Sequence, residues 1–289
     1  MAGAWARKKS QEVPIQGVIV NDETLESETD KTLTIDAIKR LTHGNSLIIN
    51  GDFQINQRGQ SEYNTTSYSL DMWYLNLWNT TGKVTKTNNG IRITNTSSFD
   101  GLGFYQYTNE NNSIAKEMTL SLKVDGIVHT ISGIPTNSGT TPTIISEKFD
   151  ANIRYYEDNN RYRVYVSVKA NSYVDIEYID LFEGNIAYPH FKEDYALALM
   201  RCMRFVQLLN YSISHNAVSN SFANYSTVFL QMPMANIPTI AYKQQSESTN
   251  VSTLTEEYTS GNINVQIVAK MSGAVRIINR TILLSCEPL

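Results

Sequence analysis

The chain has 289 residues, of which 41% are hydrophobic and 18% are charged, and its formal net charge is −4. This length accommodates about two domains with cores of their own, and the apolar content excludes an intrinsically disordered chain. The negative charge argues against nucleic-acid binding, which needs a basic face. The sequence has no run of about 18 apolar residues that would predict a membrane-spanning helix.

Residues 1–44 differ in composition from the rest of the chain. Two short apolar clusters flank an acidic stretch, and the second has the spacing of one helical face. Their members are Val13, Ile15 and Val18 in the first, and Ile35, Ile38 and Leu41 in the second. So short a helix is marginal in water and would become ordered only against a partner. We interpret the segment as an anchor to a larger assembly or, alternatively, as a flexible leader.

The stretch from Asn45 to Trp78 has the pattern of strands joined by turns. Leu47–Ile49 reads as a short strand that ends at Asn50-Gly51, a dipeptide that tolerates positive φ. Apolar residues then alternate over Phe53–Asn56, which predicts one buried and one solvated face. This pattern is typical of the start of a β-sandwich.

Regular strands continue to about residue 191. Residues 82–87 and 91–95 flank Asn89-Gly90 and predict a hairpin. Residues 161–168 and 173–181 alternate strictly between apolar and polar side chains. Because turns and not helices separate these strands, we expect an antiparallel sandwich over residues 45–191.

A helix is predicted over Lys192–Leu209. Its main apolar stripe is formed by Ala196, Leu199, Met203 and Val206. Further apolar residues, Leu197, Met200 and Phe205, lie outside that stripe. The helix would pack at a symmetry axis between subunits or, equally, between two domains of one chain. Short strands after it predict a smaller β-domain over residues 210–289.

Three stretches carry a resemblance to a known family. They are NGDFQINQRG with YSLDMWY from Asn50 to Tyr74, IAYPHFKEDYALALMRCMRFVQ from Ile186, and VFLQMPMANIPTIAY from Val228 with the terminal ILLSCEPL. In this order they resemble phage and prophage tail-fibre proteins, whose jelly-roll module is similar to carbohydrate-binding jelly rolls. The resemblance covers about residues 45 to 289.

The resemblance implies a virion appendage protein that attaches the particle to a glycan on the host-cell surface. It also implies a homo-oligomer, most often a trimer, which contacts other virion proteins through residues 1–44. The first residues, MAGAWARKKSQE, lack the apolar core of a secretion signal. We therefore expect the protein to fold and assemble in the host cytoplasm and to reside in the virion.

Catalytic motifs are missing from the sequence. The four histidines form no motif, and no P-loop, Gly-x-Ser-x-Gly or zinc signature is present. Carboxylate pairs such as Glu256-Glu257 are interpreted as solvated. We therefore predict no enzyme and no cofactor. A structural calcium ion held by Asp52, Asp71 and Asp180 is conceivable, but Asp-rich turns most often only shape the backbone.

Aromatic residues are the better candidates for a binding site, since their faces stack on the apolar side of sugar rings. We select Trp78, Tyr74, Tyr105 and Tyr107, and note Tyr155 and Tyr156 as further candidates. Trp73 is expected in the core, because large aromatic side chains dominate such cores.

Two other functional classes fit the same sequence. One is a structural head-fibre or capsid-decoration protein without a ligand, and the other is a cellular carbohydrate-binding module. The fold does not decide between them.

Overall fold

A computed structural model gives the fold. The structure describes residues 46–108, 115–136, 141–158, 160–219, 223–270 and 273–287. Ser46–Ala187 and Lys192–Leu289 form one compact unit. The predicted anchor, with its six selected apolar residues, lies outside the described residues.

Two six-stranded antiparallel sheets form the larger part of the unit. Their strands are β1 (Glu62–Tyr63), β2 (Ser67–Tyr68), β3 (Tyr74–Asn76), β4 (Gly82–Thr87), β5 (Gly90–Asn95), β6 (Leu102–Tyr107), β7 (Met118–Val124), β8 (Ile127–Gly133), β9 (Thr143–Ile145), β10 (Phe149–Tyr156), β11 (Arg161–Val168) and β12 (Ser172–Glu183). The first sheet has the order β1-β4-β5-β12-β7-β8, and the second has the order β2-β3-β6-β11-β10-β9. The predicted fold class, a mostly β protein with an antiparallel sandwich, is confirmed.

The sandwich core follows from the alternation of side chains along each strand. In β11, Tyr162, Val164, Val166 and Val168 are buried, and the residues between them lie on the outer side. The inward residues of both sheets belong to one apolar cluster. Each such side chain contributes about 1.5–3 kcal/mol when it is buried fully. Trp73 belongs to this core, as predicted, and stacks on Phe104 with ring centroids 4.8 Å apart.

The opening segment departs from the prediction. Phe53 and Ile55 are fully buried as the alternation indicated, but neither Leu47–Ile49 nor Phe53–Asn56 forms a strand. The turn at Asn50 has positive φ, as expected for that dipeptide. The Asn50 side chain then bonds the backbone of Ile55 in both directions, at 2.8 and 2.9 Å. A side chain therefore holds this segment where a strand ladder was expected.

The single predicted helix is present but shorter than predicted. Helix α1 spans Tyr195–Met203, and the Asp194 carboxylate caps it by accepting the backbone N–H of Ala196 at 2.9 Å. The prediction that helix continues to Leu209 is wrong, because Val206–Ala217 forms strand β13. The predicted stripe is confirmed in part. Met203 and Val206 are buried and Leu199 is partly buried, whereas Ala196 is exposed, and Ala198 and Cys202 are buried helix residues that the stripe did not include.

Six strands form the C-terminal region in two three-stranded antiparallel sheets. Besides β13 they are β14 (Ala223–Phe229), β15 (Thr239–Thr249), β16 (Val251–Tyr258), β17 (Asn262–Ala269) and β18 (Gly273–Ser285). The orders are β13-β18-β15 and β14-β17-β16, and the sheets share an apolar core. Glu256 is not solvated as expected. Its carboxylate accepts two bonds of 2.9 Å from Arg280, and both side chains are at most 5% exposed.

A third apolar cluster joins the sandwich to the C-terminal region. Helix α1 contributes Ala198 and Cys202, which pack with Ile49 and Ile55 before the first strands and with Leu283 of β18. The helix thus packs within one chain, one of the two arrangements considered above. Cys202 is a buried free thiol, and Cys286 is a partly buried one beside the same cluster.

A buried charge cluster lies at the same junction. The Arg58 guanidinium binds Glu287 and lies 3.6 Å from Asp71. Glu287 also accepts the backbone N–H of Met72 at 2.6 Å. Burial raises the pKa of both carboxyl groups, although Arg58 acts in the opposite direction. Removal of one partner from such a pair typically costs about 3–5 kcal/mol, because it leaves an uncompensated buried charge.

Candidate functional site

Four tyrosines form a row across four adjacent strands of the second sheet. The strand register places Tyr68 opposite Tyr74, Tyr74 opposite Tyr105, and Tyr105 opposite Tyr165. Their strands, β2, β3, β6 and β11, are neighbours in the sheet, and only β2 and β3 also follow each other in sequence. Each of these tyrosines is partly exposed, whereas the residues beside them in β3, β6 and β11 point into the core.

A second row places arginines beside the tyrosines. Tyr107 of β6 lies opposite Arg163 of β11, which lies opposite Arg154 of β10. Arg161 and Tyr156 form the next cross-strand pair. We call this surface the tyrosine face and define it by Tyr68, Tyr74, Tyr105, Tyr107, Tyr156 and Tyr165 together with Arg154, Arg161 and Arg163.

The rings of the tyrosine face contact one another in a continuous array. Tyr105 is at its centre, with ring centroids 5.1 Å from Tyr74, 5.7 Å from Tyr107 and 6.0 Å from Tyr165. Tyr68 and Tyr156 extend the array at centroid distances of 5.2 and 5.5 Å. Aromatic pairs in such offset and edge arrangements contribute about 0.5–1.5 kcal/mol each. Mutual contact therefore fixes the orientation of each ring before any ligand arrives.

Arg163 lies among four of these rings. Its Cζ atom is 5.0 Å from the ring centroids of Tyr156 and Tyr165, 5.3 Å from Tyr105 and 5.9 Å from Tyr107. A guanidinium within about 6 Å of an aromatic centroid is attracted by the negative face of the ring. The cation is therefore held in the plane of the face by the rings that surround it.

Gly103 allows the Tyr165 ring to lie flat on the sheet. A Cβ atom at Gly103 would lie 2.4 Å from the Tyr165 hydroxyl oxygen and 2.8 Å from two of its ring carbons. Gly103 is the neighbour of Asn76 and Ser167 in the register, so the ring covers a position where a side chain would otherwise project. Glycine in a strand often marks such a close approach.

Unsatisfied polar atoms are concentrated on the same side of this sheet. Five buried side-chain nitrogen or oxygen atoms among the described residues have no hydrogen-bond partner. Four of them belong to Asp150, Asn152, Arg161 and Arg163, which all point outward from β10 and β11. Buried polar groups are nearly always paired in native proteins. Four of the five unpartnered atoms among the described residues therefore lie on this one side of the second sheet.

Burial raises the pKa of four hydroxyl groups of the tyrosine face. It raises the pKa of Tyr105 to about 12, and neighbouring Tyr107 acts in the same direction. Burial also raises the pKa of Tyr68, Tyr156 and Tyr165. A protonated tyrosine hydroxyl, the ordinary form at neutral pH, can donate as well as accept a hydrogen bond.

The structure brings three of the four selected binding residues together. Tyr74, Tyr105 and Tyr107 belong to the tyrosine face, whereas Trp78 lies in the turn after β3 with 77% of its surface exposed. No other ring in the described part of the chain stacks on Trp78. Of the two further candidates, Tyr156 joins the face, and Tyr155 lies in the sandwich core.

Sequence reasoning missed several members of the face. Tyr68, Tyr165 and Arg163 were not selected. A signal for two of them was present, since the strict alternation in β11 places Arg161, Arg163 and Tyr165 on one side of that strand.

The possible calcium ligands are not brought together. Asp52 accepts a hydrogen bond from Gln54, Asp71 belongs to the buried cluster with Arg58, and Asp180 is buried in β12. Within the described ranges, no group of three or more His, Cys, Asp or Glu side chains is arranged to hold a metal ion.

The outer side of the first sheet provides a contrasting surface. A cavity of about 620 Å³ is lined there by Arg92, Asp125, Lys148, Tyr173 and Asp175, among others. Its charges already satisfy one another. Arg92 binds Asp175 through two bonds of 2.7 Å, and Lys148 binds Asp125 at 2.7 Å.

Comparisons with known proteins give no family assignment. No protein-family model, no curated protein and no solved structure matches the chain. Among the described residues, no helix has both the length and the apolar character of a membrane span.

Proposed function

We propose that this protein is a virion appendage protein that binds a glycan on the host-cell surface through its tyrosine face. The observation that carries this proposal is the continuous array of six partly exposed tyrosine rings on one side of the second sheet. The appendage role itself is supported by the resemblance to tail-fibre proteins.

The chemistry of the face fits a saccharide. One side of a sugar ring presents mainly C–H bonds, whose weakly positive hydrogens contact the negative face of an aromatic ring. The sugar hydroxyls need donors and acceptors around the rings. The hydroxyls of the partly exposed tyrosines supply both.

The array is also long enough to contact more than one sugar unit. A row of four tyrosines over four neighbouring strands extends about 14 Å, since strands lie about 4.8 Å apart. A row of this length contacts several successive sugar units. Its rings are already fixed by one another, so little conformational entropy is lost on binding.

In this function the sandwich contacts the host and residues 1–44 attach the protein to other virion proteins. Assembly as a homo-oligomer, such as a trimer, would present several faces to one surface and raise the avidity. Loss of incorporation into particles on deletion of residues 1–44 would support the attachment role, and unchanged incorporation would contradict it. A monomer mass from light scattering at micromolar concentration would exclude the trimer.

Binding to a glycan panel tests the saccharide role. We expect the full chain to bind at least one glycan, and we expect Tyr105→Ala and Tyr74→Ala each to weaken that binding about tenfold or more. The matched control is Tyr173→Ala, which removes a tyrosine from the outer side of the first sheet. Trp78→Ala tests the isolated exposed tryptophan in the same assay.

Four results would count against this function. Equal losses for Tyr105→Ala and Tyr173→Ala would exclude the tyrosine face as the site. A flat response of the parent chain across the panel would favour a structural head-fibre or decoration protein. Immunogold labelling of purified particles then locates the chain, since gold on the head contradicts a tail-fibre role, and gold on no particle contradicts any virion role.

A further inference from the structure

The arginines of the tyrosine face lack acidic partners. Among the described residues, no carboxylate lies within ion-pair distance of Arg154, Arg161 or Arg163, and the buried Nε atoms of Arg161 and Arg163 have no hydrogen-bond partner. The carboxylates nearest in sequence, Glu157 and Asp158 in the turn between β10 and β11, form no ion pair with them. A local excess of positive charge therefore exists on a chain whose net charge is −4.

Two of these cations directly face each other. Arg154 and Arg163 are cross-strand partners in the β10–β11 ladder. Like charges in directly opposite positions destabilise a sheet, because their side chains lie close together. A third cation, Arg161, follows on the same side of β11. An anion between these charges would relieve their mutual repulsion.

Most other cations of the sandwich, in contrast to these arginines, are paired with carboxylates. Lys83, Arg92, Lys116, Lys123 and Lys148 each bind a carboxylate at 2.7 Å. Lys169, beside the end of β11, binds Asp150. Of the carboxylates in the described ranges, none therefore pairs with the arginines of the tyrosine face, although many pair with other cations.

We propose that the tyrosine face binds an acidic oligosaccharide, with a ring carboxylate against Arg163 and Arg161, an inference that rests on the proposed saccharide-binding function. The carboxylate of a uronic acid is attached directly to the sugar ring and extends from its edge. A ring stacked on Tyr165 therefore places its carboxylate beside Arg163, whose Cζ is 5.0 Å from the Tyr165 ring centroid. The planar guanidinium fork matches the two carboxylate oxygens.

Paired polysaccharides test the role of the carboxylate. The probes are polygalacturonate, hyaluronate and polysialate, each measured beside the same polymer after reduction of its carboxylates to primary alcohols. We expect the full chain to bind at least one acidic polymer about tenfold more tightly than its reduced form. Added salt should weaken that binding, because the interaction is between opposite charges.

Variants assign the preference to particular residues. Arg163→Gln should remove the difference between the acidic polymer and its reduced form, and Arg161→Gln should reduce it while leaving the ring array intact. The control is Arg92→Gln, which removes a cation from the outer side of the first sheet and should leave the preference unchanged. Poly(glycerol phosphate) serves as an anionic polymer without sugar carboxylates.

Each contrary outcome has a distinct meaning. Equal binding of an acidic polymer and its reduced form overturns the carboxylate inference and leaves the glycan function standing. Binding of the acidic polymer that survives Tyr105→Ala overturns the inference and excludes the tyrosine face as the site, because ring stacking is then unnecessary. Tightest binding to poly(glycerol phosphate), or no binding to any acidic polymer, overturns the inference, and the broader glycan panel then decides the proposed function separately.

Discussion

The two outer faces of the sandwich differ in how their charged side chains are paired. On the first sheet, cations and carboxylates alternate across strands, so that Arg92 lies opposite Asp175 and binds it. On the second sheet, Arg163 lies opposite Arg154, and tyrosine rings surround it. Most cations of the first face are paired with carboxylates, whereas the arginines of the second face form no ion pair with any described carboxylate. Composition alone does not distinguish them, since both present polar and aromatic side chains to solvent.

The difference also concerns rigidity. Exposed ion pairs such as Arg92–Asp175 contribute about 0–1 kcal/mol, and their long side chains stay adaptable. The rings of the tyrosine face contact one another over five pairs, each contributing about 0.5–1.5 kcal/mol. A preorganised surface with unsatisfied polar atoms is what a binding site requires.

The largest expected effect is the loss of folding stability in Tyr105→Ala. It removes the ring that contacts Tyr74, Tyr107 and Tyr165, so we expect the free energy of unfolding to fall by about 3 kcal/mol. Tyr173→Ala, the matched change on the first sheet, loses only contacts with Arg92 and Lys148 and should cost about 0.5–1 kcal/mol. Urea denaturation measures both, and equal costs would remove the distinction between the faces.

Gly103→Ala should have an intermediate effect. The added methyl group displaces the Tyr165 ring, and overpacking of this kind costs about 1–3 kcal/mol. We also expect loss of glycan binding, since the ring array is broken at Tyr165. Gly261→Ala is the control, because a Cβ atom there meets nothing within 4 Å. Thermal unfolding and the glycan assay test the pair, and unchanged binding in Gly103→Ala would contradict the assigned position of Tyr165.

Arg154→Glu should make the second face resemble the first. It replaces a like-charge cross-strand pair by an opposite-charge pair with Arg163, so we expect about 1 kcal/mol of stabilisation together with weaker binding of an acidic saccharide. The reciprocal change is Arg92→Glu, which faces Asp175 and should destabilise by a similar amount. Changes of the same sign in the two variants, measured by denaturant unfolding, would refute the charge contrast.

The smallest expected effect is the loss of stability at alkaline pH that depends on Tyr105. The pKa of Tyr105 is raised from 10.0 to about 12, chiefly by burial. The folded state therefore holds this proton more tightly than the unfolded state, and the resulting stability is complete below pH 10 and lost as the pH rises towards 12. Tyr105→Phe should make the decline in this range shallower. Tyrosinate absorbance during titration checks the assignment, and an unchanged titration curve near pH 12 would contradict it.

Local sequence patterns predicted the positions of strands better than they predicted which segments pair with one another in space. Alternation located β11 and β12, because each strand faces a core on one side. The helix over residues 192–209 was too long because Val206 also fits a helical stripe. The competing strand depends on pairing with β18, as in the Val206–Ser285 register, and a partner so distant in sequence leaves no local signal. Glu256 was misjudged for the same reason, since its cation, Arg280, comes from another strand.

The candidate site was predictable only in part. Tyr74, Tyr105 and Tyr107 were identifiable as aromatic residues in or near strands. Their meeting with Tyr165 requires the strand order β3-β6-β11, which follows from packing of the whole sandwich. That no described carboxylate pairs with Arg163 is likewise a property of its neighbours in space.

The buried cluster of Arg58, Asp71 and Glu287 has a consequence for the order of folding. Arg58 and Glu287 are separated by 229 positions in sequence, so their contact belongs to the slowest class of events, the closure of very long loops. During synthesis the strands of the sandwich emerge well before residue 287. Until that residue arrives, Arg58 and Asp71 form an incomplete cluster, and the backbone N–H of Met72 lacks its acceptor. The sandwich should therefore form early but reach its final protection from hydrogen exchange near Met72 only after the C-terminal strands have docked.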